Sequence, residues 1–379
     1  MKAKFLIILS IVFFFTSCKT EREEKFKKPI CGEWIFVRAE KNLKSINPDK
    51  IFPPTLIHGY YRNGYTFFPD NSCENKLGYF KNINSKWIFL GTSTKYKIEE
   101  DSLKILNLID STWESTKIQN IALDTLTLVT KDSTLIKYGK AHYKSDNKQS
   151  FDKIIISSSA CFGHCPINDV LIDDNGSIIF WGEHNSTVSG LFSSKVNKQV
   201  YSKIEQNFKK LDIDTLKEEP SEDCYDCPTT SVTFIKDNKI YRTIEDRMRQ
   251  TPKEFYWAYM PLKFLYQTIN LKPLVEYKYE QLAISSIAFE TTNQICYLKK
   301  SEGFFLVSEL FNSKEVSLKF KRKYTIKYWG RDTKTKKIYT DGRYYELNEK
   351  GKNVTLDLGY NFITRNNLLK KFRPINDGN

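Results

Sequence analysis

The chain lacks the short patterns that mark the common catalytic sites. It contains no Gly-x-Ser-x-Gly, no His-Glu-x-x-His and no glycine-rich phosphate loop. Nucleophile-elbow hydrolases, zincin-type metalloproteases and P-loop proteins are thereby excluded. Histidine is scarce, with four residues in 379. His58, His142 and His184 stand alone, and His164 has no carboxylate partner at a readable spacing, so each reads as a surface, turn or loop residue. Arginine is scarce too, at eleven of 59 basic residues. The net charge of +14 is therefore mostly lysine, and it accompanies abundant Asn, Ile, Tyr and Phe. That is a composition bias rather than a nucleic-acid footprint, and no nucleic-acid partner is expected. The densest basic stretch, Lys319–Lys323, alternates with Phe320 and Tyr324 as one exposed strand face would. A basic surface still suits anionic glycans or lipid head groups. No cofactor is expected.

What is present begins with an address. Lys2 and Lys4 precede the apolar run Phe5–Phe15, followed by Thr16, Ser17 and Cys18. A basic start, a short apolar core and small residues describe an export signal rather than a spanning helix. Phe15-Thr16-Ser17-Cys18 resembles a bacterial lipobox, with Phe15 where Leu is usual. The resemblance implies a signal peptide over residues 1–17 and lipidation, palmitate included, at Cys18. Lys19–Lys28 is almost wholly charged, so residues 18–28 read as a tether. Lys19 directly after the cysteine resembles lipoproteins sent to the outer membrane. Glu21, Glu23 and Glu24 resemble a surface-export signal. The implied location is the outer membrane, facing the periplasm or the cell surface, with the lipid anchor making the membrane a partner.

The expected fold is mainly β with an α+β middle domain. Residues 29–143 give short β-rich runs between turn signals, such as Trp34–Arg38, Tyr65–Phe68, Trp87–Leu90 and Leu126–Thr130. Such spacing predicts an antiparallel barrel or sandwich. Gly32-x-Trp34, Phe67-Phe68-Pro69-Asp70 and Asp124-Thr125-Leu126-Thr127-Leu128 resemble the lipocalin-like domains of bacterial lipoproteins. The resemblance implies an antiparallel barrel in which Trp34 closes one end.

Lys144–Ser150 fits a linker, and residues 151–272 form the α+β domain. The run Ile154–Ile156 leads to Cys161-Phe162-Gly163-His164-Cys165-Pro166. A hairpin then turns at Asn175-Gly176, a strong short-range signal. Asn197–Leu211 predicts an amphipathic helix. Ser231–Ile235 and Lys239–Ile244 predict a second hairpin. Thr251-Pro252-x-Glu254 predicts a capping box opening a helix kinked at Pro261. The cysteine motif resembles a family of bacterial exported domains of unknown function, in which a strand runs into Cys-Phe/Tyr-Gly-x-Cys-Pro and a Gly-containing hairpin follows. Asn168 stands where Tyr is common. Residues 280–370 predict a small C-terminal β-domain, with strands including Phe304–Ser308, Tyr324–Trp329 and Tyr339–Leu347.

Outside the cytoplasm thiols usually oxidise. Cys161, Cys165, Cys224 and Cys227 are accordingly expected as disulfides, with no pairing fixed by sequence. The alternative is a four-thiolate metal site, since two close pairs about sixty residues apart fit zinc-ribbon spacing. Cys31 with Cys73 is a further candidate disulfide, and Cys296 is the odd thiol. Asp173-Asp174 reads as hairpin chemistry. Recurrent Asp-Ser and Asp-Thr steps at Asp101, Asp110, Asp124, Asp132 and Asp214 resemble a bacterial O-glycosylation acceptor, or else start turns.

The functional expectation is non-catalytic binding at the outer membrane, of a small apolar ligand in the barrel mouth or of an envelope protein. A thiol- or zinc-dependent activity of the middle domain and a purely structural envelope role are the alternatives.

Overall fold

The computed structural model describes residues 26–41, 62–143, 149–219, 227–247, 250–274, 286–329 and 335–375. Cys18, most of the tether, His58 and Cys224 lie outside the described residues. The protein is mainly β. It divides into two compact units, residues 1–83 with 88–144, and residues 84–87 with 145–379.

The first unit is a closed barrel of eight antiparallel strands in sequence order. These are β1 (Gly32–Lys41), β2 (Gly64–Phe67), β3 (Ser72–Ile83), β4 (Lys86–Glu99), β5 (Ser102–Leu106), β6 (Trp113–Ile121), β7 (Thr125–Val129) and β8 (Thr134–Lys140). Closure comes from β1 pairing with β8, Ile35 opposite Gly139 and Ala39 opposite Ile136. An eight-stranded barrel is just wide enough for side chains to fill it. Trp34, Phe67, Tyr96, Leu126 and Tyr138 do so, each no more than 2% exposed. The Phe67 and Tyr96 rings meet edge to face with centroids 5.0 Å apart. The indole N–H of Trp34 donates to Ile30 O at 2.6 Å, which secures this residue to its own chain. The Asp-Ser steps at Asp101, Asp110 and Asp132 lie in turns. Asp110 Oδ1, for instance, accepts from both the backbone N–H and the hydroxyl of Thr112, and Ser111 takes a positive φ of 60°.

The second unit stacks two sheets. The first contains seven strands, with β9 (Lys153–Ser158), β10 (Asn168–Asp173), β11 (Ser177–Gly182), β12 (Gly190–Lys195), β13 (Thr229–Lys236), β14 (Lys239–Arg247) and β15 (Lys272–Pro273) in the order β14-β13-β9-β10-β11-β12-β15. One face carries α1 (Lys198–Lys209) and α2 (Lys253–Lys263), which pack on each other, with α2 also contacting β9 and β10. Asn197 caps α1 by accepting from Gln199 N–H at 3.2 Å. Gly176 adopts φ 79° in the β10–β11 turn, and Asp173 Oδ1 accepts the N–H groups of Asn175 and Ser177. Asp173 is thus turn chemistry.

Three expectations are corrected. Phe304–Ser308 is not a strand but the middle of α3 (Lys300–Phe311). This helix is buried almost all round, so no polar face betrays its 3.6-residue period. It packs on β9 and β13 and, through Phe305, meets Phe362 with ring centroids 5.7 Å apart. Ile155, Leu171, Trp181 and Ile235 of the first sheet share one core with Phe304, Phe305 and Leu306 and with Phe289, Ile326 and Tyr345 of the second. The second sheet has eight short strands from Lys314–Val316 through Tyr324–Trp329 to Arg373–Pro374. Residues 280–370 therefore share their core with the first sheet. Secondly, Lys319–Lys323 is irregular rather than a strand. Thirdly, α2 starts at Lys253 behind Pro252, and no side chain caps it, so the Thr251–Glu254 capping box does not form.

Candidate functional site

The β9–β10 connection carries the cysteine motif. Cys161 and Cys165 form a disulfide, with Cα atoms 5.8 Å apart. Gly163, at the loop tip, takes φ 125°, a conformation that L side chains rarely adopt. The base of the loop is held by the neighbouring β11–β12 connection. Asn185 Nδ2 donates to Cys165 O at 3.3 Å, Ile167 N–H to His184 O at 2.9 Å, and Glu183 N–H to Ile167 O at 2.9 Å. Phe162 is 89% exposed at the tip, beside exposed Gly163 and His164. The register places Cys227 at the same end of the sheet, since Ser159 N–H donates to Thr229 O at 2.9 Å. Cys227 is also disulfide-bonded. Cys161 and Cys165 are thus consumed in a bond rather than offered as zinc thiolates, and among the described residues no His, Cys, Asp or Glu cluster is fit to hold a metal ion.

Cys31 and Cys73 remain free thiols, contrary to the expected bond. Gly32 and Cys73 both pair with Phe67, from opposite sides of β2. Adjacent strands lie about 4.8 Å apart, so residues two strands apart exceed the roughly 7 Å limit for a disulfide. Tyr96 fills the gap, its hydroxyl 3.9 Å from Cys31 Sγ. Burial pushes the Cys73 thiol up to about 12. Cys296 is free and buried.

At the loop end of the seven-stranded sheet, pairing aligns Asp169, Ser157, Ser231 and Glu245 across four strands. The N-terminus of α3 lands on this polar row. Lys300 Nζ lies 3.0 Å from Asp169 and 2.7 Å from Glu183. Lys299 Nζ lies 3.0 Å from Glu245 and 2.8 Å from Glu219. Ser301 N–H donates to Ser231 Oγ at 3.1 Å, and Lys299 N–H to Glu302 at 3.0 Å. Burial opposes the Lys300 charge, yet its two carboxylates outweigh burial and hold the ammonium above its ordinary pKa. Burial raises the Asp169 carboxyl despite Lys300, because one cation serves two acids.

The opposite face is polar at the same end. Asp246 Oδ2 accepts from the Tyr259 hydroxyl at 2.7 Å, and Oδ1 from Thr251 N–H at 3.2 Å. Lys263 reaches Thr230 Oγ1 at 3.4 Å, and burial pulls its ammonium down to about 8. The Ser158 and Thr251 hydroxyls are buried without a hydrogen-bond partner among the described residues. The sequence reading missed Lys263, Lys300 and Glu245. The signals were there: Asp169 opening an apolar strand, and Lys299-Lys300-x-Glu302 opening an apolar run.

A closed antiparallel barrel joined to an α+β unit with a disulfide-bearing loop defines the class of architecture. Within it, a family model described as a domain of unknown function (DUF6438) matches residues 152–266. The match runs from β9 through α2 and leaves out the barrel, α3 and the second sheet. No curated protein matches the chain.

Proposed function

We propose that the chain is a non-catalytic, lipid-anchored binding protein of the bacterial outer membrane, which engages an envelope protein through the Phe162 loop. The observation that carries this reading is Phe162 itself, 89% exposed on a loop closed by Cys161–Cys165. Aromatic side chains, phenylalanine among them, are enriched at protein interfaces. The disulfide and the backbone bonds to residues 183–186 fix the loop beforehand, so little conformational entropy is lost on docking. A disulfide also suits the oxidising space beyond the inner membrane. A protein partner is favoured over an apolar ligand in the barrel, because the barrel's own aromatic side chains occupy its interior. The lipocalin-like reading of that barrel rests on its eight-stranded closure and the Gly32-x-Trp34 opening.

A photoreactive phenylalanine analogue placed at position 162 of the full chain, in living cells, tests the docking. A discrete adduct with one envelope protein is expected, lost when Cys161 and Cys165 are both changed to serine. Absence of an adduct, or an adduct unaffected by the serine pair, would refute it. Anchoring is tested separately: labelled palmitate should enter the wild type and not Cys18→Ala.

A further inference from the structure

A cleft of about 270 Å³ lies against the edge strand β14 at the start of α2, close to the lower end of the roughly 300–1,000 Å³ usual for small-ligand sites. Its walls mix three kinds of group. Glu219 and Glu245 supply carboxylate acceptors, Lys217 and the Gln250 amide supply donors, and Leu216 and Pro252 supply apolar surface. The carboxylates are held by Lys299, which bridges them at 2.8 and 3.0 Å. With Lys217 in the lining and Lys299 on the two carboxylates, two acids are matched by two cations. A balanced wall gives no advantage to an ionic ligand, whereas carboxylates and amides together grip vicinal hydroxyls, and apolar patches receive ring C–H faces.

Thr251 gives the second observation. It lines the cleft, is only 7% exposed, and its hydroxyl has no partner among the described residues. A buried hydroxyl without a hydrogen bond is costly and calls for an explanation. Helix capping does not supply one, because α2 has no side-chain cap. Rotation about χ1 carries the hydroxyl around Cβ toward whichever side supplies a partner, and a ligand hydroxyl in the cleft would supply it. We propose that this cleft binds a neutral, hydroxyl-rich small molecule of the monosaccharide class. This site is independent of the Phe162 loop.

Calorimetric titration of the detergent-extracted full chain with glucose, galactose, mannose and N-acetylglucosamine tests this. Saturable binding of at least one is expected, weakened by about tenfold or more in Thr251→Val and retained in Thr251→Ser. Thr251→Val should melt no lower than the wild type, since it removes an orphaned polar atom. Should that variant fold poorly, Gln250→Ala is expected to show the same loss. Phe162→Ser should bind the sugar unchanged, which separates this site from partner docking. No binding of any of the four up to about 50 mM, or binding unchanged in both Thr251→Val and Gln250→Ala, would overturn the proposal.

Discussion

Burial draws the Lys263 ammonium down to about 8, whereas in the unfolded chain it returns to about 10.4. Between those values the unfolded state still binds a proton that the native state has released. Stability from this group therefore rises with pH from about 8 toward 10, each pKa unit being worth about 1.4 kcal/mol. Urea midpoints of the wild type should climb relative to Lys263→Met over pH 8 to 9.5. Parallel curves would show that Lys263 is not desolvated. The thiols give a second check at this scale. Cys31 is half-buried at the start of β1, while Cys73 and Cys296 are buried with thiols raised to about 12 and about 11 by burial. Iodoacetamide at pH 8 should label Cys31 in the native protein, and label Cys73 and Cys296 only after unfolding, as read by peptide mass. Trp34, wholly buried and hydrogen-bonded through its ring N–H, should cost about 3–5 kcal/mol when changed to alanine, measured by denaturant unfolding.

Among elements, α3 depends most on its first turn. Lys300 joins Asp169 and Glu183, and it is the only cation among the described residues within 4 Å of either. Lys300→Ala leaves two carboxylates without it, Asp169 being buried, and should cost about 3–5 kcal/mol by denaturant unfolding. Asp169→Ala should cost less, because Glu183 still pairs with Lys300. A loss near zero in both would mean that the row does not fix the helix. The same element marks where sequence reasoning failed. In the seven-stranded sheet, Ile154–Ile156 and the Asn175-Gly176 hairpin were readable, since each strand is apolar and each turn has its own chemistry. In α3, Phe304-Phe305-Leu306-Val307 is apolar in succession, so period cannot separate strand from helix. β3 went unread for the opposite reason: Ser72–Ile83 is mostly polar and its burial is sparse. The cysteine motif was legible as a pair of positions, but its pairing was not, because several connectivities fit one spacing. Thr251-Pro252-x-Glu254 has the letters of a capping box, yet the Thr251 backbone is engaged by Asp246, a residue of the preceding strand. Long-range contacts of that sort have no local signature.

For the molecule as a whole, the division into two units, each with its own hydrophobic cluster, predicts separate unfolding. Scanning calorimetry should resolve two transitions, with Trp34→Ala lowering one and Lys300→Ala the other. A single transition shifted by both variants would contradict it. The second unit also has an unusual division of labour along the chain. Residues 152–266, the stretch with recognised kin, build a sheet whose face bears Ile155, Leu171, Trp181 and Ile235. The helix that covers this face begins only at Lys300. The matched segment therefore ends before the helix that covers one face of its sheet. A fragment of this chain cut after residue 266 would lose α3 and bare Ile155, Leu171, Trp181 and Ile235 to water, an apolar surface that invites association with whatever can cover it.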